Sequence, residues 1–406
     1  MPTDSRFVVV GGGLAAAKLA ESLRDNGFDG SLTVIGAETQ PPYERPPLSK
    51  EHLFGKQALA DFTVHPAEWY RDNGIDLLLG TTVTSIDRSS KTVALPDGST
   101  LAYDKLGLAT GSRPRRLPIP GADAEGVYLL RTIEQSDALL SLFGTARRLV
   151  VIGAGWIGLE VTAAARAAGV EVTVLEMGPV PLRAALGEEM GTVFAELHRA
   201  HEVDLRCGVQ VAEIVTADGK ATGVRLSDDT IVDADAVLVA VGARPNIEPA
   251  ADAGLAVEGG VLVDESLASS DPDIVAVGDI ADHQHPVLGQ RVRVEHWATA
   301  LNQPAVAALT MLERPATYDR LPYFFTDQYD LGMEYTGYVA PGTTTSVVVR
   351  GDVGAREFVA FWLDSGNRVL AGMNVNVWDV TDRIKELILG AQPVDPAVLA
   401  DTATPL

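Results

Sequence analysis

The sequence has 406 residues, which is enough for two or three domains that each bury a core of their own. Its formal net charge of −23 argues against a general binder of nucleic acid or of an anionic membrane. One cysteine excludes an internal disulfide and a paired-cysteine metal site, and the lack of a signal-peptide region or a bilayer-length apolar stretch leads us to expect a cytoplasmic protein.

The first predicted elements are a strand, a glycine turn, a helix and a second strand. The strand at residues 6–10 is followed by Gly11 and Gly13, and the second strand leads to Glu38. The first glycine makes the tight turn and the second lets the backbone approach a pyrophosphate at the helix N-terminus, while Ala16 allows close packing of helix and strand. An acid about 20 residues beyond the turn would accept hydrogen bonds from a ribose. This pattern predicts a dinucleotide site.

A second copy of the pattern begins with the strand at residues 148–152. Gly153, Gly155 and Gly158 take the three glycine positions, and Glu176 ends the following strand. A single G-x-G-x-x-G is a weak signal because many structural turns contain it. Two copies, each with two strands, a helix and an acid, predict two dinucleotide sites.

Two further strands indicate that one module is inserted into the other. Residues 105–114 and 236–245 both end in Gly-x-Arg-Pro, and a later strand ending in Gly278-Asp279 would complete the first module. From Pro322 the pattern changes to short alternating strands and a helix. We predict an α/β protein with two Rossmann-like domains and a C-terminal α+β domain: 1–112 and 242–321 for the first dinucleotide domain, 113–241 for the second, and 322–406 for the last.

Several motifs along the chain belong together. They are Gly11-Gly12-Gly13, Pro41-Pro-Tyr-Glu-Arg-Pro-Pro-Leu-Ser-Lys50, Ala109-Thr110-Gly111, the residues from Gly153 to Glu160, Gly278-Asp279, and Phe325-Thr-Asp-Gln-Tyr329. With them the chain resembles, over essentially its whole length, the FAD-containing NADH:ferredoxin reductases that serve bacterial P450s and ring-hydroxylating dioxygenases. The resemblance implies a glutathione-reductase-like order, with FAD in the first site, NADH in the second, a C-terminal domain over the flavin, and a [2Fe-2S] or similar ferredoxin as acceptor.

The resemblance also implies the residues that contact each cofactor. For FAD they are Gly11, Gly13, Leu14, Ala15, Glu38, Arg45, Lys50, Val83, Thr110, Gly111, Arg131, Asp279 and Trp297. For the nicotinamide dinucleotide they are Gly153, Gly155, Ile157, Gly158, Glu176 and Gly242. Two positions depart from the family pattern: Ala16 replaces the third glycine of the first fingerprint, and Phe325 stands where the family often has a tryptophan.

Lys50 and Glu160 are the predicted catalytic pair. In the family such a lysine reaches the N5 edge of the flavin and pairs with such a glutamate, and its charge makes the flavin a better hydride acceptor. The alternative is two solvated surface charges. Asp279 is expected to bind the ribityl chain or to cap a helix, and Trp297 to stack on the isoalloxazine or to pack in the core.

Residues 41–50 contain no thiol, although the disulfide reductases of this fold carry a cysteine pair just after the first βαβ unit. We therefore expect electrons to leave directly from the flavin. Asp282-His283-Gln284-His285 permits a metal interpretation, but a solvated loop is favoured because no third ligand is evident. No metal site is predicted.

A ferredoxin would need a local docking patch. Lys105, Arg113, Arg115 and Arg116 lie in a stretch without acids on an otherwise acidic chain, so they could receive an acidic partner. Equally, these cations could hold FAD or domain contacts.

Three hypotheses for the function remain open. The leading one is an NADH-dependent ferredoxin reductase that supplies a P450 or a ring-hydroxylating oxygenase. The second is a rubredoxin reductase or an oxidoreductase for a small acceptor such as a quinone or monodehydroascorbate. The third is a non-enzymatic interaction protein, because apoptosis-inducing relatives share the architecture.

Overall fold

The computed structural model describes residues 4–406, which form 26 β-strands and ten α-helices. The strands are β1 (Arg6–Val10), β2 (Ser31–Ile35), β3 (Ile75–Leu78), β4 (Ser85–Asp87), β5 (Thr92–Ala94), β6 (Thr100–Ala102), β7 (Lys105–Leu108), β8 (Ser112–Pro114), β9 (Val127–Tyr128), β10 (Arg148–Ile152), β11 (Glu171–Glu176), β12 (Asp204–Cys207), β13 (Val211–Ala217), β14 (Lys220–Leu226), β15 (Ile231–Asp233), β16 (Ala236–Val239), β17 (Ala243–Pro245), β18 (Val261–Val263), β19 (Ile274–Ala276), β20 (Ala281–His285), β21 (Gln290–Val292), β22 (Tyr323–Gln328), β23 (Leu331–Gly337), β24 (Ser346–Asp352), β25 (Glu357–Leu363) and β26 (Val369–Val375). The helices are α1 (Leu14–Asp25), α2 (Leu59–Phe62), α3 (Ala67–Asp72), α4 (Ile133–Phe143), α5 (Trp156–Ala167), α6 (Arg183–Ala200), α7 (Glu248–Asp252), α8 (Trp297–Met311), α9 (Thr381–Gly390) and α10 (Pro396–Ala400). Short 3₁₀ helices cover Pro46–Ser49 and Gly278–Ile280.

The described chain divides into two compact units. The first unit contains residues 4–45, Ala58–Arg113 and Arg244–Pro322. The second unit contains Pro46–Gln57, Pro114–Ala243 and Tyr323–Leu406. The four-segment domain boundaries expected from the sequence stay a prediction.

The first unit is built on a five-stranded parallel sheet with the order β19-β7-β1-β2-β3. In β1 only Arg6 is exposed, as expected for a strand that is covered on both faces. Val10 lies level with Ile35 on one side and with Leu108 on the other, so the carboxyl ends of three strands meet at one edge. The strand before Gly278 joins this sheet beside β7, as the sequence predicts for completion of the first module.

The second unit repeats this arrangement in a parallel sheet with the order β12-β11-β10-β16-β9. Ile152 lies level with Leu175 and Val239, which gives the same alignment of strand ends as in the first unit. An antiparallel sheet of β13, β14 and β15 packs its buried side chains into the core below β10 and β16. The predicted internal repeat is therefore present in both sheets.

The C-terminal part of the second unit is an antiparallel sheet with the order β22-β23-β26-β25-β24. Helix α9 packs on β23 and β26 through Ile384, which is fully buried. The turn between β22 and β23 has only two residues, and Tyr329 adopts a left-handed conformation there, with φ of 56°. The α+β domain expected after Pro322 is confirmed.

The segment Asp282-His283-Gln284-His285 is a strand, so its interpretation as a solvated loop was wrong. It lies in β20 and pairs with β18 and β21. His283 and His285 are 2% and 0% exposed, because alternate side chains of this strand point into the core of the first unit. The polar composition concealed a buried strand.

Three histidines predict how stability depends on pH. Burial lowers the pKa of His198, of His283 and of His296 to about 4 in the folded protein, against about 6.5 in an unfolded chain. Between these values the unfolded chain takes up protons that the folded protein does not. The free energy of unfolding should therefore be unaffected by these groups above pH 6.5, and each should lower it by up to about 1.4 kcal/mol per pH unit between pH 6.5 and 4.

Thermal unfolding measured from pH 7.5 to 4.5 tests this expectation. The buried ring of His283 meets the ring of Tyr318 edge-on at 5.3 Å. His283→Phe should keep that contact, remove one titrating group and flatten the decline. An unchanged slope in this variant would contradict the assignment.

Among the described residues, no helix combines the length and the apolar character that crossing a bilayer requires.

Candidate active site

The first glycine turn lies at the carboxyl end of β1, at the N-terminus of α1. Gly11 has φ of 140°, and a Cβ atom there would lie 2.0 Å from the carbonyl oxygen of Ala109. Only glycine fits this turn. Gly13 caps α1 without a side-chain hydrogen bond, and Leu14 and Ala15 form the buried first turn. The N–H groups at this helix end are therefore available for phosphate oxygens, which fits a dinucleotide.

Glu38, Tyr43 and Arg45 form a polar cluster beside this turn. Arg45 Nη2 donates to Glu38 Oε1 at 2.7 Å, and the Tyr43 hydroxyl donates to Glu38 Oε2. The guanidinium of Arg45 is also 4.0 Å from the Cβ position at Gly13, so a cation stands next to the helix N-terminus. A carboxylate for a ribose and a cation for a pyrophosphate are what the adenosine diphosphate part of FAD requires.

The remaining predicted FAD residues of the first unit occupy its strand ends and loops. Asp279 is 8% exposed within the short 3₁₀ helix and does not cap a helix, so the N-cap alternative is wrong. Trp297 begins α8, and its indole donates to the Glu44 carboxylate at 3.0 Å. The hydroxyl of Thr110 donates to the carbonyl of Asn246 at 2.7 Å.

Ala15 and Asp279 are brought near each other, because a Cβ at Gly278 would contact Ala15 at 3.2 Å. Gly111 follows Thr110 in a left-handed conformation, with φ of 62°. Val83 is a buried core residue of the first unit, whereas Arg131 lies in the second unit just before α4.

The second glycine turn has the same geometry at the N-terminus of α5. A Cβ at Gly153 would lie 2.5 Å from the carbonyl oxygen of Ala240, and one at Gly158 would lie 2.2 Å from the carbonyl oxygen of Gly153. At Gly155 a Cβ would meet nothing within 4 Å, so the face of the turn where a pyrophosphate would lie is open. Ile157, 42% exposed, follows on the first turn of α5.

Backbone amides fix the carboxylate of Glu176 at the end of β11. Its Oε2 accepts from Ala154 N at 2.8 Å and its Oε1 accepts from Gly178 N at 2.7 Å. The acid therefore lies directly beside the second glycine turn, as the ribose contact requires. Gly242 ends the strand region that returns to this site, beside the side chain of Arg115. These residues fit the adenosine end of a nicotinamide dinucleotide.

Lys50 and Glu160 form a buried ion pair within the second unit. Lys50 Nζ is 2.6 Å from Glu160 Oε1, and the two residues are 7% and 4% exposed. The alternative of two solvated surface charges is therefore wrong. Lys50 Nζ also lies 5.4 Å from the centre of the Phe325 ring, so the residue at the position of the family tryptophan contacts this lysine.

The segment 46–57 is held in the second unit by α4 and α5. The hydroxyl of Ser136 donates to the carbonyl of Leu48 at 2.7 Å, and His52 Nε2 lies 2.8 Å from Asp137 Oδ1. These contacts fix the chain on both sides of Lys50. The ammonium group is thus presented by a constrained loop rather than by a mobile one.

Three further polar side chains hydrogen-bond to Glu160 or to one another beside this pair, and none of them was predicted as a site residue from the sequence. The hydroxyls of Ser49 and Thr326 donate to the two oxygens of Glu160, and Gln328 donates to Thr326. Thr326 and Gln328 alternate with Phe325 and Asp327 along β22, so the period of two in that strand was the signal that could have placed them on one buried face.

Most cations of the basic stretch that could receive a ferredoxin are paired with acids. Arg113 forms two ionic contacts with Glu248, Arg116 pairs with Asp123, and Lys105 is 9% exposed and pairs with Asp273. The stretch contains no acid of its own, but acids from elsewhere in the chain pair with these three cations. Arg115, the fourth predicted cation, instead donates to the carbonyl of Ala243 at 2.8 Å. The role of the stretch as a docking patch stays a prediction.

Within residues 4–406, no cluster of three or more histidine, cysteine or acidic side chains is arranged to hold a metal ion.

Two glycine turns at helix N-termini, each next to a fixed acid, define a protein built to bind two dinucleotides. The chain belongs to the pyridine nucleotide-disulphide oxidoreductase family, whose model matches residues 5–303; a reductase C-terminal domain matches residues 323–406. The predicted fold class, the FAD-dependent oxidoreductase activity and the FAD and nicotinamide cofactors are confirmed.

Relatives match this chain over nearly its full length. Rhodocoxin reductase of Rhodococcus erythropolis is 39% identical, covering 98% of this chain and 92% of its own. Putidaredoxin reductase of Pseudomonas putida is 36% identical, covering 100% and 97%. The crystal structure of the covalent putidaredoxin reductase–putidaredoxin complex matches with a TM-score of 0.95 at 36% identity, covering 99% of this chain and 97% of that one.

Proposed function

We propose that the protein is an NADH-dependent ferredoxin reductase that passes electrons through FAD to a [2Fe-2S] or similar ferredoxin, which in turn serves a P450 or a ring-hydroxylating oxygenase. The observation that carries the proposal is the segment 41–50, which holds no thiol and presents Lys50 in a buried ion pair. Without a disulfide, electrons leave from the flavin. Relatives named as reductases of rhodocoxin and putidaredoxin support this acceptor class.

The proposed roles follow the geometry of each site. Gly11, Gly13, Glu38 and Arg45 hold the adenosine diphosphate of FAD, and Asp279 holds its ribityl chain. The other proposed FAD contacts are Leu14, Ala15, Lys50, Val83, Thr110, Gly111, Arg131 and Trp297. The nicotinamide dinucleotide is held by Gly153, Gly155, Ile157, Gly158, Glu176 and Gly242.

Lys50 and Glu160 are proposed to act in the hydride step. Bound FAD supplies the chemistry by which a two-electron donor serves a one-electron acceptor. The protein supplies a fixed positive charge from Lys50, and Glu160 fixes that charge by accepting its hydrogen bond at 2.6 Å. We also propose the domain limits 1–112, 113–241, 242–321 and 322–406, and a cytoplasmic location.

Reduction of a purified [2Fe-2S] ferredoxin by NADH tests the function. We expect turnover with the ferredoxin at least about tenfold faster than with a quinone, with monodehydroascorbate or with rubredoxin at equal concentration, because a protein carrier adds docking to the transfer step. Arsenite and thiol alkylation should leave the NADH-reduced protein active, because residues 41–50 contain no cysteine. Faster turnover with a small acceptor, or strong inhibition by arsenite, would contradict the proposal.

A further inference from the structure

A line of hydrogen-bond donors in the second unit ends on Glu160. Thr326 Oγ1 lies 2.6 Å from Glu160 Oε1, the same oxygen that accepts from Lys50 Nζ. The Ser49 hydroxyl donates to the other oxygen. Ser49, Glu160 and Thr326 are 2%, 4% and 1% exposed, so this carboxylate depends on donors from the protein rather than from water.

The chemistry of Gln328 and Thr326 determines in which direction the hydrogen bonds are donated. Gln328 Nε2 lies 3.2 Å from Thr326 Oγ1, and because an amide nitrogen only donates, the hydroxyl proton of Thr326 points to Glu160. The opposite amide orientation would turn that proton away and leave an oxygen lone pair facing the carboxylate at 2.6 Å. The order of donation therefore runs from Gln328 through Thr326 to Glu160.

His198 fixes the amide of Gln328. Its Nε2 lies 2.9 Å from Gln328 Oε1, which only accepts, so the proton of the neutral imidazole is on Nε2. Its Nδ1 is 3.3 Å from the hydroxyl of Tyr329, whose ring stacks on His201 at 3.7 Å. Burial lowers the pKa of His198 to about 4, so the imidazole is neutral at neutral pH. Hydrogen bonds in such a chain polarise one another.

We propose that Thr326, aligned by Gln328 and His198, is a positioning residue for flavin reduction: it fixes the Glu160 carboxylate and, through it, the Lys50 ammonium. This inference rests on the proposed function, which assigns Lys50 to the hydride step. The lysine ammonium sits at the end of a flexible four-carbon stem, so a fixed partner is needed to hold it in one place. Misplacement of a reacting group by about 1 Å can slow a step about a hundredfold.

The test uses the holoprotein and three substitutions. Thr326→Val removes the hydroxyl at nearly constant volume, and Thr326→Ser retains it. Thr336→Val is the matched control, because Thr336 is 1% exposed on the adjacent strand β23 and its hydroxyl has no hydrogen-bond partner among the described residues. Each variant is examined for FAD content, for flavin reduction by NADH in stopped flow, and for the midpoint potential of the flavin in an equilibrium dye titration.

Thr326→Val should slow flavin reduction at saturating NADH at least fivefold, leave the apparent Kd for NADH within about twofold of its normal value, and make the midpoint potential more negative. Thr326→Ser should restore both the rate and the potential, and Thr336→Val should change neither. If Thr326→Val loses FAD, Gln328→Met is used in its place. That variant keeps the Thr326 hydroxyl and removes only the amide that orients it. We expect the same changes in rate and potential, to a smaller extent.

A normal rate and potential in Thr326→Val, or a failure of Thr326→Ser to restore them, would overturn the inference. Neither measurement involves the ferredoxin, so failure of the proposed acceptor would leave this result unaffected. Conversely, normal flavin reduction and a normal potential in Thr326→Val, together with ferredoxin reduction by the unaltered protein, would refute the positioning role while the proposed function stands.

Discussion

Replacing Lys50 with methionine should slow the reduction of the flavin by NADH about tenfold to a hundredfold while FAD stays bound. The ammonium lies 2.6 Å from Glu160 in a place where neither partner is more than 7% exposed, so its field is little screened by water. Methionine keeps the length of the side chain and removes the charge. Stopped-flow measurement of flavin absorbance at saturating NADH gives the rate directly.

The effects of replacing Lys50 and Glu160 should depend on each other, because the two side chains form one ion pair. Removing one member of a buried ion pair typically costs about 3–5 kcal/mol, because the other charge is left unpaired. Lys50→Met combined with Glu160→Gln should therefore unfold at a higher temperature than Lys50→Met alone, and the two rate effects should be non-additive. Lys56→Met is the matched control, an exposed lysine in the same segment. An unchanged rate in Lys50→Met with full FAD content would remove Lys50 from the hydride step.

NADH should be preferred to NADPH by about a hundredfold in kcat/KM, which corresponds to about 2.7 kcal/mol. Glu176 is held by the amides of Ala154 and Gly178, so it cannot swing away from a 2′-phosphate. Like charges placed together cost several kcal/mol. Residues 177–182 supply no cation, and Arg206 on the neighbouring strand is paired with Asp204 at 2.7 Å.

Glu176→Ala should narrow this preference to about tenfold or less, because it removes the repulsion and frees two backbone amides that can donate to a phosphate. Glu171→Gln, at the exposed start of the same strand, should leave the ratio unchanged. Equal kcat/KM for the two nucleotides in the unaltered protein would show that Glu176 does not face the adenosine ribose.

Features that depend on neighbouring residues in the chain were predictable from the sequence. Gly11 and Gly153 lie in turns that join a strand directly to the following helix, and such turns carry their own sequence pattern; the carbonyl oxygens of Ala109 and Ala240, which would block a Cβ atom there, come directly after a neighbouring strand of each sheet. The acids Glu38 and Glu176 follow at a spacing set by one helix and one strand. Lys50 and Glu160 were predicted as a pair through a family resemblance, and the structure contains their ion pair at 2.6 Å.

Features that depend on distant partners were not predictable. Arg113 stands in a stretch without acids, yet Glu248, 135 residues later, neutralises it. Thr326 reaches Glu160 across 166 residues, and nothing in the local sequence of either indicates the other. His283 and His285 were assigned to a solvated loop because no third metal ligand is evident in the sequence, whereas β20 pairs with two other strands, β18 and β21.

The position of β19 has a consequence for synthesis on the ribosome. β19 pairs with β7 across about 170 residues, which take roughly 8–35 s to synthesise at typical elongation rates. The parallel sheet of the second unit lies wholly between Val127 and Val239 and is complete before β19 emerges. The parallel sheet of the second unit can therefore form before β19 is synthesised. Until then β1, β2, β3 and β7 lack their fifth strand, and the edge of β7 stays exposed. Binding of FAD at the first glycine turn would shorten the time for which that edge is exposed, because it would favour the complete five-stranded sheet.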